Sequence, residues 1–334
     1  MNSTPLVSIV TPSYNQVDFL EYTIQSVLKQ DYLNLEYGIV DGVSTDGSLD
    51  ILKKYDPQLS WWISESDQGQ AQAINKGIAR SKGNIVAWIN SDDIYLPNAI
   101  KQAVLALEDK NIDLVFGDAI TIDESGYPLN ELVFGDWDLP DLLRFRVICQ
   151  PAVFMKREVW EAVKGISSDL HFMLDHQLWI KIASRFRVKH IPSFWAASRA
   201  HGQAKNVAFA ADFSDEILEL LSWIESDNNL ASAYKEDQNR IKGGAYRLSA
   251  RYLLDGDFPI KAFWQYCLAI RFWPSYGLKH WRRVFFALVS MATRIKIKRF
   301  KKRSGIPHFS DNQRLRDWPG LNFPGNGSPL INDR

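Results

Sequence analysis

The chain has 334 residues, 46% of them hydrophobic and 13% aromatic, with 39 Lys/Arg against 39 Asp/Glu; this composition is ample for a folded core and excludes a chain that is disordered as a whole. Its two cysteines, Cys149 and Cys267, make neither a disulfide framework nor a zinc site, which points to a reducing, cytoplasmic setting. Met1 to Pro5 lacks the basic and apolar regions of a signal peptide.

In chain order, the apolar run Leu6 to Val10 predicts a short buried strand ended by Pro12-Ser13-Tyr14-Asn15, and Leu20, Ile24, Val27 and Leu28 then recur at helical spacing. Tyr37 to Val40 predicts a second strand, followed by the turn-rich Asp41-Gly42-Val43-Ser44-Thr45-Asp46-Gly47 and a helix from Asp50 to Tyr55. Trp61 to Ile63, Ala71 to Ala79, Ile85 to Ile89 and Asn98 to Leu107 continue as strand, helix, strand and helix. This alternation predicts a mostly parallel α/β sheet with right-handed crossovers. Leu114 to Phe116 and Ala152 to Met155 extend the sheet, a helix follows Asp175, and Val188 to Ile191 and Phe194 to Ala197 read as extended. From about Asp212 the periodicity is helical.

Charge is unevenly spread. Residues 1–257 carry 24 basic and 36 acidic side chains, a net −12, whereas residues 258–334 carry 15 and 3, a net +12. Trp281, Val284, Leu288, Met291 and Ile295 share one helical face, so residues 271–303 read as a basic amphipathic helix. Its apolar run from Val284 to Ala292 is far short of the ~20 residues that span a bilayer. Such a helix either lies on an anionic membrane surface or packs on the protein with a solvated basic edge; nucleic acid is the least favoured partner. Residues 304–334 read as a Pro/Gly-rich tail or strap.

Asn90-Ser91-Asp92-Asp93 ends the fourth strand with two adjacent carboxylates at the carboxyl edge of the sheet, where open α/β folds bind ligands. Either they hold a hard divalent cation together with phosphate oxygens, or they form a solvated Asx turn capping the next helix. The first turn, Thr11 to Asn15, contains no glycine, and no Walker lysine motif occurs. A cation on the acidic pair is one way to neutralise a diphosphate without a glycine nest.

Ser8 to Asn15, Val40 to Gly47, Asn75-Lys76-Gly77 and Asn90 to Asp93, in this order and spacing, resemble the family 2 glycosyltransferases of the GT-A fold. Gln150-Pro151-Ala152-Val153-Phe154 and Leu174-Asp175-His176-Gln177-Leu178-Trp179 extend the similarity to about residues 5–205. The resemblance implies a GT-A domain over 1–210, followed by a helical extension over 211–303 and the tail. It implies inverting transfer of a sugar from a nucleotide-diphosphate donor, UDP favoured, to a glycan or lipid-linked acceptor. The expected setting is cell-surface polysaccharide synthesis at the inner face of the membrane.

The resemblance also implies roles. Pro12, Ser13, Tyr14, Asn15 and Asp41 would line the nucleotide pocket, with Asp67, Lys76, Asn90, Ser91, Asp93 and Arg199 completing the donor site. Asp92 and His201 would hold Mg2+ or Mn2+, Asp175 would take the acceptor's proton, and Gln150 and Trp179 would shape the acceptor and sugar pocket. The family's acidic motif is D-x-D, and Asn90, a weaker ligand, stands at its first position. Simpler roles stay open: a turn for Asp41, a solvated helix lysine for Lys76, a helix cap for Asp175, a loop histidine for His201 and a core aromatic for Trp179. Asp46 reads as structural. Asn90 and the neutral, Gln-rich Gln68 to Gln72 also suit a non-catalytic sugar-nucleotide-binding protein.

Overall fold

The computed structural model describes residues 4–202 and 209–293. Strand β1 (Val7–Ser13) is buried along its whole length, as suits a strand covered on both faces. It lies between β2 (Leu35–Asp41) and β4 (Ile85–Trp88), parallel to both, and β2 pairs in parallel with β3 (Trp61–Ser64). Helices α1 (Leu20–Leu28), α2 (Ser48–Tyr55) and α3 (Gln70–Arg80) connect these strands, and α4 (Ala99–Leu107) follows β4. Pro12 does not end β1: it stands opposite Val40, and the strand runs on to Ser13, carrying the first loop to the sheet edge.

The Asn75-Lys76-Gly77 motif works as a packing device. A Cβ at Gly77 would come 2.3 Å from Val10 Cγ1, so its absence lets α3 sit close on β1. Asn75 donates through Nδ2 to Ile166 O (2.8 Å) and accepts from Ile166 N (3.0 Å), pinning a distant loop to α3.

The first half of the sheet is parallel, and the antiparallel pairings gather in its second half. Its order is β3-β2-β1-β4-β8-β6-β9-β5, with β7 (Pro128–Leu132) attached to β6 (Leu114–Ile122). Strand β8 (Val153–Lys156) is antiparallel to both its neighbours, β4 and β6. The two extended stretches after residue 188 form one strand, β9 (Val188–Arg199), parallel to β6 with an irregular register around Asp118. At that bend Gly117 admits Trp195, whose ring would meet a Cβ at 2.5 Å. Strand β5 (Ile94–Tyr95) pairs antiparallel with the end of β9. Two residues carry no periodicity, which is why the sequence does not announce β5.

Short helices α5 (Leu139–Leu143) and α6 (Arg157–Ala162) precede α7 (Leu174–Ala183). The chain then becomes helical: α8 (Ala210–Ser226), α9 (Ala231–Asp255), α10 (Pro259–Phe272), α11 (Pro274–Gly277) and α12 (Trp281–Thr293). Phe213, Ile217, Leu220, Ile241 and Leu248 join the same buried cluster as Trp88, Phe116 and Trp179, so α8 and α9 share a core with the sheet. Helices α10 and α12 close a smaller cluster around Leu253, Leu254, Tyr266 and Ala287.

The expected continuous helix from 271 is interrupted at Trp273-Pro274 and resumes at Trp281; its part beyond Thr293, Ile295 included, and the 304–334 tail lie outside the described residues. Packing against the smaller cluster turns Val284 inward, and Phe285 takes its place on the exposed face with Trp281, Leu288 and Met291. Among the described residues no helix is long and apolar enough to cross a membrane.

Candidate active site

A cavity of about 810 Å3 opens beyond the carboxyl ends of β1 and β4. Pro12 to Gln16, Gly42, Asp67 and Asn90 to Asp93 line one part, and Gln150, His171 to Asp175, Phe213 and Tyr252 line the rest.

The first two loops are tied to each other. Asn15, in the left-handed region at φ 51°, donates its N–H to Ser44 Oγ (2.8 Å), and its Oδ1 accepts from Thr45 N (2.9 Å). Asp41 is fully buried and accepts from Ser44 N (2.9 Å), Ser44 Oγ (2.5 Å) and Ser64 Oγ (2.7 Å). Its carboxylate therefore shapes the loop, and the neighbouring Gly42 forms the cavity wall. Tyr14 stands at the rim with its ring largely exposed. Asp46 accepts from Val17 N, Ser48 N and Ser48 Oγ; against the upward push of burial, these bonds hold its carboxyl below the usual value.

The acidic corner divides its two carboxylates. Asp93 is buried, with Oδ1 accepting from Arg199 N (3.0 Å) and Oδ2 from Asn90 Nδ2 (3.2 Å). Burial first, and the adjacent Asp92 charge second, push its pKa upward. Asp92 is more open, and its Oδ2 lies 2.9 Å from Nε2 of the buried His201. Asn90 Oδ1 accepts from Gln70 Nε2 (2.6 Å). Arg199 donates through Nε to Asp92 O (3.0 Å) and through Nη1 to the Asp123 and Glu124 carbonyls, with its guanidinium over the Phe19 ring. Those bonds make Arg199 a brace for the acidic turn.

Asp175 sits in the first turn of α7 and lines the opposite part of the cavity. Its Oδ1 accepts from His176 N (2.7 Å), and burial pushes its pKa up to about 6. A carboxyl ionising near neutrality is suited to general-base work. Beside it, His176 is fully buried with Nε2 3.0 Å from Leu142 O; burial lowers its pKa to about 4, so it stays neutral.

The remaining predicted residues fall in two groups. Asp67, Gln150 and Ser91 line the cavity. Asp67 Oδ1 accepts from Gly69 N (2.8 Å); Gln150 donates to Trp88 O (2.8 Å), and among the described residues no donor meets its Oε1. Lys76 and Trp179 stand away from the wall. Lys76 pairs with Glu65 at 2.6 Å, and Trp179 is buried, stacked on Trp88 at 5.4 Å between ring centroids. Trp88 is the tryptophan that lines the cavity; its Nε1 is buried and has no acceptor among the described residues. It reads in the sequence as one more apolar residue of β4. Phe213 and Tyr252 were equally hidden, because helical spacing marks them only as core.

Residues 8–150 match the model of the family described as Glycosyl transferase family 2, and this segment belongs to that family. TuaG of Bacillus subtilis, named as a teichuronic acid biosynthesis glycosyltransferase, is 33% identical over 162 residues, 47% of this chain and 64% of TuaG. Glycosyltransferase GlyG of Streptococcus pneumoniae is 36% identical over 36% of this chain and 41% of its own length. The chain thus spans less than two thirds of these curated relatives. Among solved structures, the mannosyltransferase PcManGT from Pyrobaculum calidifontis, in complex with GDP-Man and Mn2+, superposes with a TM-score of 0.59 over 88% of this chain and 89% of its own, at 16% identity. S. aureus TarS 1-349 in complex with UDP-GlcNAc gives 0.56 over 91% and 99%, at 15% identity. This likeness shows the GT-A glycosyltransferase fold.

Proposed function

We propose that the protein is an inverting glycosyltransferase of cell-surface polysaccharide synthesis, moving a sugar from a nucleotide-diphosphate donor, UDP favoured, to a hydroxyl of a glycan or lipid-linked acceptor. The observation that carries this reading is the single cavity bounded by the acidic turn Asn90 to Asp93 on one side and by Asp175 on the other. Asp175 would accept the proton of the acceptor hydroxyl as that oxygen attacks the anomeric carbon opposite the leaving diphosphate, which inverts the configuration. The names of the curated relatives and the nucleotide sugars bound by the fold neighbours support the substrate class.

Asp92 and His201 together offer one carboxylate and one imidazole, a donor set that fits Mg2+ or Mn2+ when diphosphate oxygens and water fill the other positions. Among the described residues no group of three His, Cys, Asp or Glu is placed to hold an ion, so the metal reading depends on the nucleotide as co-ligand. Bound there, the cation supplies Lewis-acid charge against the departing diphosphate. Pro12 to Asn15 and Gly42 would contact the nucleoside, and Gln150, which lines the cavity, would face the sugar.

The reading extends to an anionic membrane surface. Ile260 and Trp264 on α10 and Trp281, Phe285, Leu288 and Met291 on α12 are exposed, and residues 258–293 contain five Lys/Arg and no acid.

A thermal-shift and hydrolysis screen of nucleotide sugars with and without Mn2+ tests the core claim. One donor should raise the melting temperature more with Mn2+ than without it and should be slowly hydrolysed. Absence of both effects across UDP-, GDP- and dTDP-sugars would remove the enzyme reading. Binding without turnover, unchanged in Asp175→Asn, would favour the sugar-nucleotide-binding alternative that Asn90 suggests.

A further inference from the structure

The loop leading into α7 ends on three successive backbone N–H groups, and all three converge on one carboxylate. His171 N donates to Glu216 Oε1 (2.7 Å), while Phe172 N and Met173 N donate to Glu216 Oε2 (2.7 and 2.9 Å). Glu216 lies on α8, in the helical part after residue 210, and is 8% exposed. Among the described residues no lysine or arginine pairs with it, so backbone amides carry its charge. Charge-assisted bonds of this length are among the stronger hydrogen bonds in proteins, and three on one acid make a stiff joint. One turn earlier on α8, Phe213 packs on Phe172 at 4.8 Å and on Tyr252 at 4.6 Å between ring centroids, and both aromatic partners line the cavity.

The joint sits two residues before Asp175. Helix α7 begins at Leu174, and its N-cap residue Met173 makes no side-chain cap bond; Glu216, reached from another helix, takes the Met173 N–H and the two amides before it. We infer that Glu216 is a positioning residue for the transfer reaction: through it α8 fixes the 171–173 loop and thereby the direction in which Asp175 faces the acceptor. This rests on Asp175 being the base. The helices after residue 210 then act as part of the site, although the family match ends at residue 150.

The test uses Glu216→Gln and Glu216→Asp in the full chain, alone and with Asp175→Asn. Glu216→Gln keeps the shape but replaces one acceptor oxygen with a donor facing an N–H. A misplaced base should lower kcat for transfer about ten- to hundredfold while the donor KM stays within about twofold, because Pro12 to Asn15 and Asp92 stand on other elements. Glu216→Asp, which keeps the charge, should recover part of the lost rate. In an Asp175→Asn background Glu216→Gln should cost little further. Wild-type kcat in Glu216→Gln, an equal loss in donor binding, or a full additional loss on top of Asp175→Asn would each overturn the inference. If Glu216→Gln does not fold, the same comparisons on Glu216→Asp decide it. A fully active Asp175→Asn would instead overturn the base assignment, whatever Glu216 does.

Discussion

Nε2 of His201 lies 2.9 Å from Oδ2 of Asp92, a residue 109 positions earlier in the chain. The two meet because β5 and the end of β9 pair, with Ile94 opposite Ala197, and because Arg199 braces the turn between them. Asp92→Asn should abolish the Mn2+-dependent part of nucleotide binding, and His201→Gln should weaken it about tenfold, the scale of losing one donor at a metal site. Calorimetric titration of UDP with and without Mn2+ measures both. Equal Mn2+ dependence in wild type and both variants would release these residues from the metal role.

Asp175→Asn should lower transfer by about 10²- to 10⁴-fold while donor affinity stays within about twofold. In wild type, kcat/KM should rise with pH through about 6, since the base acts unprotonated, and this limb should vanish in the variant. Stability runs the other way. A carboxyl whose folded pKa is raised binds its proton more tightly when folded, so that contribution is complete below 3.8 and is lost as pH rises through about 6. At pH 7.5 Asp175→Asn should therefore be more stable than wild type by on the order of 1–3 kcal/mol, a gain that shrinks toward pH 4. Urea melts at the two pH values check the sign.

Val43 holds φ 64° in the loop after β2, a conformation that costs a β-branched residue. Its side chain is 47% exposed, so little packing is lost on removing it. Val43→Gly should raise stability by roughly 0.5–1 kcal/mol in denaturant unfolding. A drop of that size would mean that the loop needs the isopropyl group more than the relaxed backbone.

The aromatic face of α10 and α12 should bind vesicles containing phosphatidylglycerol and leave phosphatidylcholine vesicles largely unbound, with attraction weakening at high salt. Replacing Trp281 and Phe285 by serine should release the protein in a flotation assay. Unchanged flotation in that double variant would sink the membrane role of this face.

The parallel half of the sheet and its motifs were legible because β1, β2 and β4 carry the short apolar stretches Ile9-Val10, Ile39-Val40 and Ile85 to Trp88 in alternation with helices. Legibility failed where pairing, not periodicity, makes the element. The two residues of β5, the reversed direction of β8 and the fusion of two stretches into β9 exist only through their neighbours. The same holds for side chains. The Asp92-Asp93 pair and Asp175 stood out as acids at element ends, but the separation of Asp92 from the buried Asp93 depends on the Arg199 amide, a hundred residues away. Lys76 and Trp179 had plausible chemistry on paper, and a glutamate and a tryptophan stack claim them in space. Glu216 looked like any helix acid, because nothing local reveals three remote amides.

Strand β8 lies in the interior of the sheet, joining β4 to β6, yet it begins at Val153, just beyond the segment that matches the family. A fragment cut at residue 150 would lose β8 and β9, leaving β6 paired only with β7 and cut off from β4. The segment that matches the family model and the unit that completes the sheet are therefore different lengths of chain. Exchanging the first 150 residues between relatives would transplant the acidic turn Asn90 to Asp93 without the Arg199 amide, the His201 ring and the Asp175 wall that face it.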